Sequence, residues 1–180
     1  MWQNLINSCA PQLTISTDSS ILDMGCGPAG IFMSFPENPV TAVDPLIESY
    51  EADLDVFSKN KYPNVQFIQS GIESFKCNKP YDIVFCMNAI NHVKDIKAGF
   101  KTLADCCKKG GTVVITIDAH TSNFMKGIFR IGPGDILHPH QYDKKEYCAF
   151  LTDNGFKVVK EVTIEKGKVF DYYMIVAEKV

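Results

Sequence analysis

A chain of 180 residues with 46% hydrophobic and 22% charged residues is long enough to bury a core and short enough for one domain. That balance argues against both a disordered protein and a coiled coil. A formal net charge of -3 provides no global field to attract nucleic acid or an anionic membrane.

The chain starts with Trp2, Leu5, Ile6, Cys9 and Ala10 at helical spacing, which predicts a short amphipathic helix from Trp2 to about Leu13. This segment has neither the basic start nor the long apolar core of a secretion signal, and no later apolar run reaches membrane-spanning length. A cytoplasmic protein is therefore expected. Ile21 to Met24 reads as the first strand and about Ala29 to Phe35 as a helix, stopped by Pro36-Glu37-Asn38-Pro39. Val40 to Asp44 is a second strand, and a helix from about Leu46 to Lys59 follows with Ile47, Tyr50, Leu54 and Phe57 on one face. Val65 to Gln69 is a third strand, the segment from Ser70 to Phe75 a loop, and Tyr81 to Cys86 a largely apolar fourth strand.

A helix from about Asp95 to Cys107 should end at Gly110-Gly111, before a fifth strand from Thr112 to Ile117. The stretch from His120 to His140 is a long connection with one apolar piece, Phe124 to Ile131, and long connections in compact domains usually carry function. A helix from Lys144 to Asn154 closes at Gly155. Two strands, Phe156 to Ile164 and Tyr172 to Glu178, then form an antiparallel hairpin about Glu165-Lys166-Gly167-Lys168. The alternation of strand and helix implies a parallel sheet with right-handed crossovers.

The chemistry starts at Ile21-Leu22-Asp23-Met24-Gly25-Cys26-Gly27-Pro28-Ala29-Gly30, where a buried strand meets glycines spaced G-x-G-x-x-G. Glycines at Gly25 and Gly27 permit positive φ and let backbone approach a ligand closely. In an open parallel sheet the ligand sits beyond the carboxyl ends of the strands. Asp44, ending the second strand, is placed to accept from both hydroxyls of a ribose.

These segments, together with Tyr81 to Val93 and Lys109 to Ile115, resemble in order and spacing the motifs of class I S-adenosylmethionine-dependent methyltransferases. The resemblance covers roughly residues 20 to 118, and the closing helix and hairpin extend it. It implies an α/β fold: a doubly wound, mostly parallel seven-stranded sheet with an antiparallel C-terminal hairpin, in a single domain over residues 1–180. It implies S-adenosylmethionine as cofactor and S-adenosylhomocysteine as product. Asp23, Gly25 and Gly27 would surround the methionine part and Asp44 the ribose, with Pro45, Ile72 and Met87 completing the contacts. Three features depart from the family pattern. Gly71 and Ile72 stand where an acid usually meets the adenine, with Glu73 a possible substitute; the helix after the glycine loop is short; and about 20 residues precede the first strand, little material for a lid.

Methyl transfer asks the protein to align nucleophile, methyl and sulfur and, for a hydroxyl or protonated amine, to remove a proton. Histidine suits that last task. His92 matches a position at which many members carry histidine, where capping or packing competes with catalysis as its role. His138 and His140 sit at the end of the long connection, where this family draws substrate contacts. A metal site from His138, His140 and Asp135 has suitable ligand types but lacks a further cluster, so no metal is expected.

Seven cysteines, Cys9, Cys26, Cys77, Cys86, Cys106, Cys107 and Cys148, have no C-x-x-C and no regular spacing, which favours core fillers in a reducing compartment. Cys86 lacks the preceding proline of the cytosine-5 enzymes and reads as a core or supporting thiol. The expected reaction is methyl transfer to a small-molecule acceptor, without nucleic acid or membrane as partner. The competing expectation is a binding or regulatory protein that holds the cofactor or its product without catalysis.

Overall fold

The computed structural model describes residues 2–120, 142–167 and 170–180, with His120 described by its backbone alone. The expectations for Phe124 to Ile131, Asp135, His138 and His140 lie outside the described residues, as does Lys168 of the hairpin turn. The strands are β1 (Ile21–Met24), β2 (Val40–Asp44), β3 (Val65–Gln69), β4 (Tyr81–Met87), β5 (Cys107–His120), β6 (Phe156–Glu165) and β7 (Phe170–Lys179). They form one seven-stranded sheet in the order β3-β2-β1-β4-β5-β7-β6. Pairs β1–β2, β1–β4, β2–β3 and β4–β5 are parallel, while β7 runs antiparallel to both β5 and β6. The expected C-terminal hairpin is present, with β7 inserted between β5 and β6.

The period of two along each strand divides the core into two layers. Leu22, Val43, Val84, Cys86, Val113 and Ile115 face one way and pack with Phe100 and Leu103 of α3 (Ile96–Cys106) and Tyr147 and Leu151 of α4 (Lys144–Asp153). Ile21, Val40, Ala42, Ile83, Phe85 and Val114 face the other way, against Phe32, Phe35, Cys9 of α1 (Trp2–Cys9) and Ile47 of α2 (Ile47–Asp53). Because β1 and β2 are buried along their whole length, their sequences are apolar runs rather than alternations. α3 is capped by Asp95, which accepts from the Lys97 and Ala98 amides; α4 carries a capping box between Asp143 and Glu146.

Four helix expectations change. The first helix, predicted to reach about Leu13, ends at Cys9, two residues before Pro11. The helix predicted over Ala29 to Phe35 is a single 3₁₀ turn, Ile31–Ser34. Prolines at 28 and 36 leave too few residues between them to propagate an α-helix, and the Phe32 amide is taken by the Asp23 side chain. The helix predicted to reach Lys59 ends at Asp53. Asp53 and Asp55 gather where the helix dipole disfavours acids, and Glu51 accepts from the Lys59 amide at 2.7 Å instead of staying on the helix surface. α3 passes directly into β5 at Cys107, so Gly110-Gly111 does not terminate it. The pair instead sits in a register shift between β4 and β5, where Gly110 takes φ 75°.

Phe100 is fully buried and stacks on Phe150 at 5.2 Å between α3 and α4. Phe100→Ala should lower unfolding free energy by about 3–5 kcal/mol through lost contacts and the cavity left behind. Chemical denaturation measures it, and a loss below about 1 kcal/mol would mean that the two helices can collapse onto the space.

Candidate cofactor site

β1 ends at Met24, and the loop that follows hangs from β2: the amides of Gly25 and Cys26 donate to the Val43 carbonyl at 2.7 and 3.0 Å. Gly25 and Gly27 have φ of 73° and 59°, the left-handed region in which a side chain is strained. A Cβ at Gly25 would also collide with that of Ala89, so the loops after β1 and β4 meet backbone against side chain. Trp2 ties α1 to the same loop by donating from Nε1 to the Ala29 carbonyl at 2.9 Å.

Asp44 closes this arrangement from the end of β2. Its Oδ2 accepts from the Gly27 amide at 3.0 Å, and its Oδ1 accepts from the Leu46 amide at 2.9 Å and the Tyr50 hydroxyl at 3.1 Å. Beside it opens a cavity of about 380 Å³, a size suited to a nucleoside-bearing ligand. Of the residues singled out in the sequence, Gly25, Asp44, Pro45, Ile72 and His92 line it. Gly27 reaches the site through the bond to Asp44, whereas Asp23 and Met87 are buried in the core and do not line the cavity. A larger groove of about 540 Å³ lies at the amino ends of the strands, between Thr41, Gln66 and Tyr81. Ligands of open parallel sheets bind at the carboxyl ends, so the smaller cavity is the functional candidate.

Asp23 sits beneath the loop, 1% exposed. One oxygen accepts from the Phe32 amide at 3.0 Å, and the other has no partner. Burial pushes its carboxyl up to about 7 and nearby Asp44 adds to the shift, against the opposing amides of Phe32 and Ile31. Cys86 is fully buried and its thiol is pushed far above the usual range, first by burial and then by Asp23, which fits a core thiol and not a nucleophile.

The far wall comes from short turns. Gly71 and Ile72 open the 3₁₀ turn Ile72–Ser74, and Glu73 on that turn accepts from the Lys94 amide at 2.7 Å and the Asp95 amide at 3.2 Å. Glu73 therefore both lines the cavity and fastens it to the start of α3. His92 is exposed at the end of the turn Ile90–His92. Asn88 and Tyr50 also line the cavity, without a motif in the sequence to mark them. Asn88 takes φ 53°, a conformation asparagine tolerates, and its amide donates to Thr116 Oγ1 at 2.8 Å. That chemistry was the available signal. Tyr50 was masked by its helical spacing, which reads as core.

Comparison with known proteins identifies the family. The family model described as a methyltransferase domain matches residues 2–161, and the chain belongs to that family, the class I S-adenosylmethionine-dependent methyltransferases of Rossmann-like fold. The ubiquinone biosynthesis O-methyltransferase of Rickettsia canadensis (strain McKiel) is 32% identical over 165 residues, covering 84% of this chain and 66% of that protein. The chain thus spans a little under two thirds of that relative's length. In fold it is similar to the YcgJ protein from Bacillus subtilis, with a TM-score of 0.76, 14% identity and coverage of 99% and 97% of the two chains. A putative methyltransferase from Bacillus halodurans C-125 gives 0.75, 16%, 99% and 98%. The residues present fit the cofactor of this family: glycines free of Cβ face the cavity, an acid closes its floor and apolar Ile72 forms a wall.

A carboxyl raised from 3.8 to about 7 keeps its proton in the folded state over a window in which the unfolded chain has lost it. The stability tied to Asp23 is therefore complete below the unfolded value and is lost as pH rises toward 7. Asp23→Asn stays neutral. Its unfolding free energy relative to the parent protein should rise between about pH 4 and 7 and then level off. A pH-independent difference in denaturation would contradict the buried, protonated carboxyl.

Proposed function

We propose that the chain transfers the methyl group of S-adenosylmethionine to a hydroxyl oxygen of a small molecule. The observation that carries this reading is the cavity at the carboxyl ends of β1, β2 and β4, with Gly25 and Asp44 on its walls. The direction toward oxygen is supported by the O-methyltransferase relative. A small acceptor in preference to nucleic acid or membrane fits the net charge of -3, and free cysteines fit the reducing cytoplasm. Among the described residues, no helix is long and apolar enough to cross a membrane.

Asp44 would hold the ribose, Ile72 and Glu73 the edge of the adenine, and the backbone of Gly25 and Gly27 the amino-acid arm. The cofactor, when bound, supplies an activated methyl on a sulfonium sulfur. His92, exposed at the cavity rim, would accept the acceptor's proton. The walls would align the acceptor against the methyl group.

Calorimetry with S-adenosylmethionine and S-adenosylhomocysteine, followed by a methyl-release screen of small hydroxylated metabolites, tests the proposal. Binding with turnover supports it; absence of binding to both ligands rejects it; and binding with a uniformly blank screen favours a cofactor-binding regulator. Asp44→Ala should weaken cofactor binding by about 1–3 kcal/mol. His92→Ala should lower kcat by about a hundredfold with little change in cofactor affinity, and an unchanged rate would remove His92 from the chemistry.

A further inference from the structure

The hydrogen bonds on Asp44 leave little room for the ligand that it is built to hold. A carboxylate oxygen offers two acceptor sites. Oδ1 already accepts from the Leu46 amide and the Tyr50 hydroxyl, and Oδ2 from the Gly27 amide. Oδ1 is full, and one site remains on Oδ2. A ribose that presents two neighbouring hydroxyls across the carboxylate needs a site on each oxygen, so one resident donor has to leave.

Two of the three residents are backbone amides. Gly27 is fixed by the loop hung on Val43, and Leu46 lies at the turn that starts α2. The third is a side chain on the cavity wall, half-buried, with its ring edge-on to Phe57 at 6.0 Å. Only the hydroxyl of Tyr50 can be exchanged without unmaking the loop. Burial, and then Asp44 itself, push that hydroxyl up to about 12, so it is a donor at neutral pH and occupies the carboxylate as a ribose hydroxyl would.

We infer that the Tyr50 hydroxyl fills the place of one ribose hydroxyl on Asp44 and is displaced when a diol-bearing nucleoside binds, so that Tyr50 sets both affinity and selectivity for the diol. This rests on the proposed cofactor reading. While in place the tyrosine satisfies an aspartate that is 8% exposed; once it is displaced the two ribose hydroxyls do so. Binding exchanges one charge-assisted bond for another, and the gain from the second hydroxyl is correspondingly small.

The test is calorimetry of the parent protein and Tyr50→Phe with S-adenosylhomocysteine and with its 2′,3′-dideoxy analogue. Tyr50→Phe should bind S-adenosylhomocysteine about fivefold to tenfold more tightly than the parent and the dideoxy analogue no more tightly. Equal or weaker binding of S-adenosylhomocysteine by Tyr50→Phe overturns the role of Tyr50 while leaving the cofactor reading standing, as does the same gain with both ligands. No binding to either protein overturns both. Tyr50→Leu, which also lacks the ring, should keep the selective gain for the diol. Failure of both variants to fold would overturn the proposal as well, since a hydroxyl that exchanges with ligand cannot be one on which folding depends.

Discussion

The bond from the Gly27 amide to Asp44 Oδ2 is the interaction on which the site depends. It joins the glycine loop after β1 to the end of β2, a parallel pair of strands buried along their whole length. With Gly25 and Cys26 bonded to Val43, the loop is held in a left-handed path that residues with side chains would resist. The β1–β2 pairing beneath it brings two acids near each other. Burial pushes the Asp23 carboxyl up to about 7, and Asp44, bonded by three donors, is turned toward the cavity.

Turns, rather than long helices, form much of the active end of the sheet. The segments Ile31–Ser34, Ile72–Ser74 and Ile90–His92 follow β1, β3 and β4 as 3₁₀ turns. Each is anchored by buried apolar residues, Ile31 and Phe32, Ile72, and Ile90. Short turns keep their backbone close to the strand ends, and the Glu73 carboxylate fastens the second of them to the start of α3. The cavity wall is thereby built in part from backbone anchored close to the strand ends.

Support for the loop after β4 comes from far along the chain. Inserting β7 beside β5 sets Tyr172 where its hydroxyl donates to Thr116 Oγ1 at 2.7 Å, and that oxygen also accepts from the Asn88 amide. Thr116 is fully buried, so this small network holds a left-handed asparagine at the cavity from beneath.

Most of the sheet was legible in the sequence because burial on both faces writes apolar runs at β1, β2 and β4, and glycine at 25 and 27 answers a backbone requirement that few other residues meet. Asp44 was legible for the same local reason: it ends a strand that follows the glycine loop. Helix lengths were not, since propensity over Leu46 to Lys59 could not anticipate that Glu51 would turn to the Lys59 amide. Nor could spacing reveal that Asp23 lies under the loop with one oxygen unpaired, or that Tyr50, an apparent core residue on its helix, sends its hydroxyl to Asp44. The sequence by itself determined the strands, the glycine loop and the acid that faces it, because each is set by local backbone and burial demands. The occupancy of that acid, the protonation of its neighbour and the hold on Asn88 were decided by tertiary structure, because each depends on groups that meet only when distant segments pack.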